Sequence, residues 1–148
     1  MGLCRHYLPS FRSTCIGVGA LYVLLGGSIL IRGTDAAMKP FAVPETTLTS
    51  PHFNDAIIWV YTHQVVIGVL TLVIGFTAEG NERLKRWFAR AMLLAHAVYL
   101  WMDTRSSDSW LGTGLYKGPA SLAPAVICLV VTALFAHLSF CEHSRTQR

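Results

Sequence analysis

Charge is scarce in this 148-residue sequence. Only 14% of the residues are Asp, Glu, Lys or Arg, against about a quarter in a soluble domain. A membrane protein is therefore expected more than a soluble one. Cysteine is scarce too: Cys4, Cys15, Cys128 and Cys141 make no CxxC pair and no metal-type spacing, so neither a disulfide framework nor a zinc site is implied. HExxH and paired ExxH motifs, a glycine-rich phosphate loop and a Ser–His–Asp pattern are all missing, which leaves nucleotide, nicotinamide and metal chemistry without support. Met1-Gly2 opens like a myristoylation signal, but His6 stands where Ser or Thr is needed. No basic patch interleaved with aromatics occurs, so the net charge of +4 does not call for a nucleic acid.

What is present is apolar: 53% of the residues are hydrophobic and the mean hydropathy is +0.46. Four apolar stretches run roughly over 13–31, 56–78, 87–102 and 119–140, each near the ~20 residues that carry a helix across ~30 Å of hydrocarbon. Arg90 interrupts the third stretch, where its long stem can snorkel to the surface. The run Ile16–Ile31 exceeds a usual signal-peptide core and has no clear small-x-small cleavage site after it, so a retained signal-anchor helix is expected. An unmodified Cys4 thiol is expected, rather than an acylated one.

The expected fold is all-α: one integral membrane four-helix bundle over 1–148. Lysine and arginine divide by side. Arg5, Arg12, Arg83, Lys85, Arg86, Arg90, Arg145 and Arg148 fall on one side, and Arg32, Lys39, Arg105 and Lys117 on the other. The positive-inside rule then puts both termini in the cytoplasm, in the endoplasmic reticulum membrane of a eukaryote or the inner membrane of a bacterium.

Span one carries Gly17, Gly19, Gly26 and Gly27, which suit close helix packing, and Gly33 is expected to stop it. The long loop at about 33–54 is broken by Pro40, Pro44 and Pro51. It holds Phe41, Val43, Leu48 and Phe53, which suits either a lid over the bundle or a plain interfacial loop. The short polar turn beginning at Glu79 makes spans two and three antiparallel neighbours. Pro119 starts span four, Pro124 is placed to kink it, and His137 reads as an interfacial histidine.

Ionisable groups in hydrocarbon are costly unless paired or wet, and so mark function. At 100° per residue, Asp55, Trp59 and Thr62 share one stripe of span two, with His63 about 80° from Asp55. Tyr61 falls on another side. On span three, His96, Tyr99 and Asp103 follow i, i+3, i+7 spacing within about 60° of arc. Antiparallel neighbours would bring Asp55 level with Asp103 and His63 level with His96, on the non-cytoplasmic side.

Partial burial moves carboxylic acids and imidazoles toward neutrality, where they exchange protons with substrates. The expected function is thus a cofactor-independent membrane enzyme that opens an epoxide or ring, cyclises or isomerises a lipophilic small molecule. Asp55 and Asp103 form the expected acid–base pair, with His63, His96 and Tyr99 orienting them. Arg105 and Asp108 are further catalytic candidates, and Trp59, Thr62, Arg32 and Tyr116 are candidates for binding substrate. Asp103-x-Arg105-x-x-Asp108 resembles, in residue types alone, the Asp–Arg–Asp arrangement of limonene-epoxide hydrolases. Two alternatives stand beside this reading. His63 and His96 are candidate axial ligands of haem b, with Arg32 or Arg105 near its propionates. Polar groups also act as glue between helices in a scaffold or lipid-binding protein. Membrane lipid is an expected partner, and a homo-oligomer is an allowed state.

With this size, four spans, a Gly-rich first helix and polar loops, the chain resembles the small four-span proteins called DoxX-like. It also resembles the small membrane proteins found beside fungal polyketide and terpenoid pathways. The second resemblance implies an enzyme of natural-product biosynthesis whose greasy intermediate enters from the bilayer.

Overall fold

The computed structural model describes residues 9–114 and 116–140; Cys4, Arg5, Cys141, Arg145 and Arg148 lie outside them. The described residues form helices and no strand. In chain order the helices are α1 (Phe11–Arg32), α2 (Thr34–Met38), α3 (Glu45–Leu48), α4 (Pro51–Thr77), α5 (Glu82–Ser106) and α6 (Ala123–Phe140). Short 3₁₀ turns lie at Lys39–Phe41 and Pro119–Leu122.

Local chemistry explains the boundaries. Ser10 caps α1 by accepting a hydrogen bond from Ser13 N, as a short hydroxyl side chain does for an orphan donor. Gly33, at φ 87°, ends the helix as the sequence leads one to expect, and its N–H is donated to the Ile29 carbonyl. Pro51 occupies the first turn of α4, where its missing N–H costs nothing. Asn81 caps α5 through Leu84 N at 3.0 Å. Pro124 sits in the first turn of α6, so it starts that helix instead of kinking it.

Three segments, Phe11–Arg32, Pro51–Thr77 and Ala120–Phe140, are each long and apolar enough to cross a membrane. Helix α5 has 25 residues, but Glu82, Arg83, Lys85, Arg86 and Arg90 crowd its first nine positions and lower its hydropathy. The expected span 87–102 lies inside it.

The helices associate as two pairs. Helix α1 packs along α4 and α5 along α6. The expectation that α4 and α5 are close neighbours is corrected here: the Ala78–Asn81 turn joins them, yet each packs along a different partner. Glycine decides the choice. A Cβ placed on Gly19 would lie 2.8 Å from the Gly68 carbonyl oxygen, and one on Gly68 would lie 2.9 Å from the Gly19 carbonyl oxygen. The two backbones therefore touch there, with no room for a larger residue. Gly26 and Gly75 extend the seam, against Tyr61–Val65 and Cys15 respectively. Gly17 and Gly27 meet open space and take no part in it.

The pairs join through one core containing Phe11, Cys15, Val18, Tyr22, Met92, Val131 and Phe135. Phe88 stacks edge-on against both Phe11 and Phe135, at centroid separations of 6.2 and 6.3 Å. Phe11 meets Phe88 and, eleven residues on, Tyr22 meets His96, so α1 and α5 run the same way.

Gly19→Ala and Gly68→Ala are expected to lower unfolding stability in detergent by about 1–3 kcal/mol each through overpacking. Gly17→Ala should be neutral or slightly stabilising. Denaturant titrations followed by helical circular dichroism would decide, and an undisturbed Gly68→Ala protein would contradict the tight seam.

Candidate functional site

At one end of the helices, Asp103 of α5 meets Cys128 of α6, and phenols of α1, α4 and the 107–118 loop lie within longer electrostatic range of it. Asp103 sits in the last turn of α5 and is partly buried. Its Oδ2 accepts a hydrogen bond from the Cys128 thiol at 3.1 Å. The phenols of Tyr22, Tyr61 and Tyr116 all lie within electrostatic reach of this carboxylate. Tyr99 and Cys128 lie within reach of Tyr22. Burial first, and the Asp103 carboxylate second, push the Tyr116 phenol above its ordinary pKa. Both effects disfavour the phenolate.

Deeper along α5, His96 is completely buried, at 0% exposure. Its Nδ1 is 2.7 Å from the Met92 carbonyl oxygen, which can only accept, so Nδ1 carries the proton. In the neutral ring Nε2 is then an acceptor, and it receives the Tyr22 hydroxyl at 2.5 Å. Tyr99 stands edge-on to the imidazole and Phe135 lies against its face. A carbonyl, an imidazole and a phenol thus form a directed chain.

The loops close over the same end. Phe41 packs on Tyr116 with ring centroids 5.8 Å apart, and Lys117 N donates to the Phe41 carbonyl oxygen. Met38 is buried, and Thr34 donates to Asn54 while Asn54 donates to the Leu48 carbonyl. The segment between α1 and α4 is accordingly a folded cover, not a plain tether.

Of the residues singled out from the sequence, His96, Tyr99, Asp103 and Tyr116 come together. The others do not join them. Asp55, Trp59, Thr62 and His63 lie on an exposed face of α4. The Asp55–Asp103 pair and the matched depth of His63 and His96 both assumed that α4 turns this face to α5. It does not, because the Gly68–Gly75 side of α4 is held against α1. His63 stacks on Trp59 and bonds to that residue's own carbonyl oxygen, while both ring nitrogens of His96 are engaged. The two histidines thus lie on different helix faces, and Nε2 of His96 is taken by the Tyr22 hydroxyl.

Arg32 is exposed. Arg105 lies over the Trp101 ring, 5.8 Å from its centroid. Asp108 accepts from Gly118 N at 3.3 Å while its own N–H is donated to Ser121, so it staples the loop. Among the described residues no Asp103–Arg105–Asp108 ion pair forms, because Arg105 is turned outward. No group of three or more His, Cys, Asp or Glu side chains converges as a metal site among the described residues.

The sequence reading missed Tyr22, Tyr61 and Cys128. A signal for the first existed: Phe11, Cys15, Val18 and Tyr22 follow the a/d spacing of one buried helix face. For Tyr61, seven-residue spacing with Gly68 and Gly75 marks the packed side of α4. Nothing in the spacing of Cys128 distinguishes it from a small core residue.

No family model matches the chain, and no curated protein or solved structure is significantly similar to it.

Removing the Tyr22 hydroxyl leaves a buried Nε2 without its donor, which costs about 1–3 kcal/mol. Tyr22→Phe should therefore be destabilised by that amount, and Tyr22→Phe/His96→Leu should recover part of the loss. Chemical unfolding of the four members of this double-mutant cycle measures the coupling. Strictly additive single effects would show that the bond contributes nothing.

Proposed function

We propose that this chain is a cofactor-independent integral membrane enzyme that moves protons on a lipophilic small molecule at the Asp103 cluster. The observation that carries the reading is the company Asp103 keeps: three phenols, a thiol and a buried His–Tyr relay at one end of an otherwise apolar set of helices. Polar groups of this kind in hydrocarbon are a functional hypothesis by default. In this reading α5 serves as a fourth span and the helices form a four-helix bundle with both termini in the cytoplasm. The Asp103 cluster then faces the non-cytoplasmic side.

The chemistry needs a donor and an acceptor. A phenol or carboxylic acid gives a proton to a ring, epoxide or carbonyl oxygen as its bond to carbon weakens or polarises. A carboxylate or imidazole takes a proton from water, a substrate hydroxyl or an adjacent carbon, so the site returns to its starting charge. Asp103 is suited to the acceptor role and Tyr116 to the donor role. Tyr22 can hand its hydroxyl proton to Nε2 of His96 as its oxygen takes one from the substrate; the chain ends at that imidazole, and the proton returns by the same path when product leaves. Hydrolytic ring opening, cyclisation and isomerisation all fit this scheme. The Phe41–Tyr116 cover would limit water, and a greasy substrate would enter from the bilayer.

The test is turnover of the lipophilic compound that co-purifies with the protein, identified by mass spectrometry and returned to enzyme in lipid nanodiscs. Asp103→Asn should lose about 100-fold or more in kcat, the usual scale of general acid–base catalysis. Asp55→Asn should stay within about twofold, because its carboxylate is outside the cluster. Full activity in a folded Asp103→Asn protein would sink the assignment. A Soret band in purified protein would direct attention to haem instead.

A further inference from the structure

At the other end of α5, Arg83, Arg86, Trp87 and Arg90 line a hollow of about 300 Å³. Spacings of three, four and seven residues put all four on one helix face. Among the described residues, the acids of the adjoining turn lie near other cations. Glu82 holds Lys85 at 2.8 Å, and Glu79 lies 3.8 Å from Arg12. Among the described residues neither Arg83 nor Arg90 has an ion-pair partner, and both are exposed. The Arg90 guanidinium lies over the Trp87 ring, 5.6 Å from its centroid, and Trp87 itself is 60% exposed.

The level of this hollow is fixed by its neighbour. Helix α4 is long and apolar enough to cross a membrane, and the Ala78–Asn81 turn brings the chain back directly into α5. Arg83 therefore stands at the water end of α4, and Arg90 about 10 Å further along the helix axis. That interval covers the headgroup layer, where tryptophan is enriched and long basic side chains reach outward. Exposed guanidinium groups at this depth match phosphate oxygens in charge and in paired-donor geometry.

From this placement we infer that the Arg83–Arg86–Trp87–Arg90 hollow binds the headgroup of an anionic phospholipid. Arg83 and Arg90 hold the phosphate, and Trp87 lies beside the glycerol and upper acyl region. This site is separate from the Asp103 cluster, and its occupancy is read without turnover, so failure of the catalytic proposal leaves it standing.

The experiment is native mass spectrometry of the detergent-purified full chain with equal amounts of phosphatidylglycerol and phosphatidylcholine. The wild type should retain phosphatidylglycerol about fivefold or more over phosphatidylcholine. Arg83→Gln/Arg90→Gln should bind the two alike. In nanodiscs of the same two lipids, added salt should weaken the wild-type preference, a check that needs no variant to fold. Equal retention of both lipids by the wild type, or an unchanged preference in a folded double variant, would overturn the inference. So would loss of phosphatidylglycerol to inorganic phosphate at equal concentration, because the hollow would then be a soluble-anion site.

Discussion

The contact between Gly19 and Gly68 is the constraint on which the arrangement of this protein rests. Between helices in lipid there is little hydrophobic driving force, since the tails are as apolar as the side chains. Close backbone approach and the dispersion contacts it permits must do the work. Once the seam holds α4 on α1, the Asp55–Trp59–Thr62 face of α4 can only look outward. Tyr61, which belongs to the seam side, is carried toward Asp103. The same seam leaves α1 free to present Tyr22 to His96. One pair of glycines thereby determines which polar residues meet.

The Tyr22–His96 bond is the polar counterpart of that seam. It connects α1 of one helix pair to α5 of the other, and its direction is dictated by the Met92 carbonyl beneath it. A backbone oxygen cannot donate, so it fixes the proton on Nδ1, and the ring can then accept only at Nε2. Covering such an imidazole with Phe135 and Tyr99 removes water as a competing partner. The result is a histidine oriented by its own helix and not free to turn. That is what positions the phenol at the head of the chain, and it explains why the most deeply buried polar ring among the described residues is also part of the candidate site.

Relations within one helix were legible in the sequence and relations between helices were not. His96, Tyr99 and Asp103 come out on a common side because 3.6 residues per turn leaves no other choice. Long apolar runs foretold Phe11–Arg32, Pro51–Thr77 and Ala120–Phe140 closely. Pairing misled because the short turn before α5 is a statement about chain connectivity, whereas packing is decided along the whole length of a helix. Gly17 and Gly27 looked equivalent to Gly19 and Gly26; only the position of the opposite backbone separates them. The histidines at 63 and 96 share a residue type and a similar distance from their helix ends, yet one is exposed on a tryptophan and the other is sealed in the core. Residue type and depth alone do not specify a facing direction.

If α4 crosses the membrane as proposed, its outward stripe faces lipid, whose tails cannot satisfy a carboxylate. Helix α4 has 27 residues, or about 40 Å at 1.5 Å per residue, and the hydrocarbon layer is only ~30 Å thick. As a membrane span, α4 would extend about 10 Å beyond the tails, or tilt to shorten its crossing. Asp55 stands five residues into α4, within that surplus, and Trp59 follows one turn deeper at the level where tryptophan anchors helices. His63 lies one further turn in, with its Nδ1 proton satisfied by the Trp59 carbonyl and its face covered by the indole. The stripe thus grades from charged to aromatic to internally bonded as it descends. That order is the one expected of an interfacial anchor, and it separates Asp55 physically from the carboxylate that sits among phenols at the end of α5.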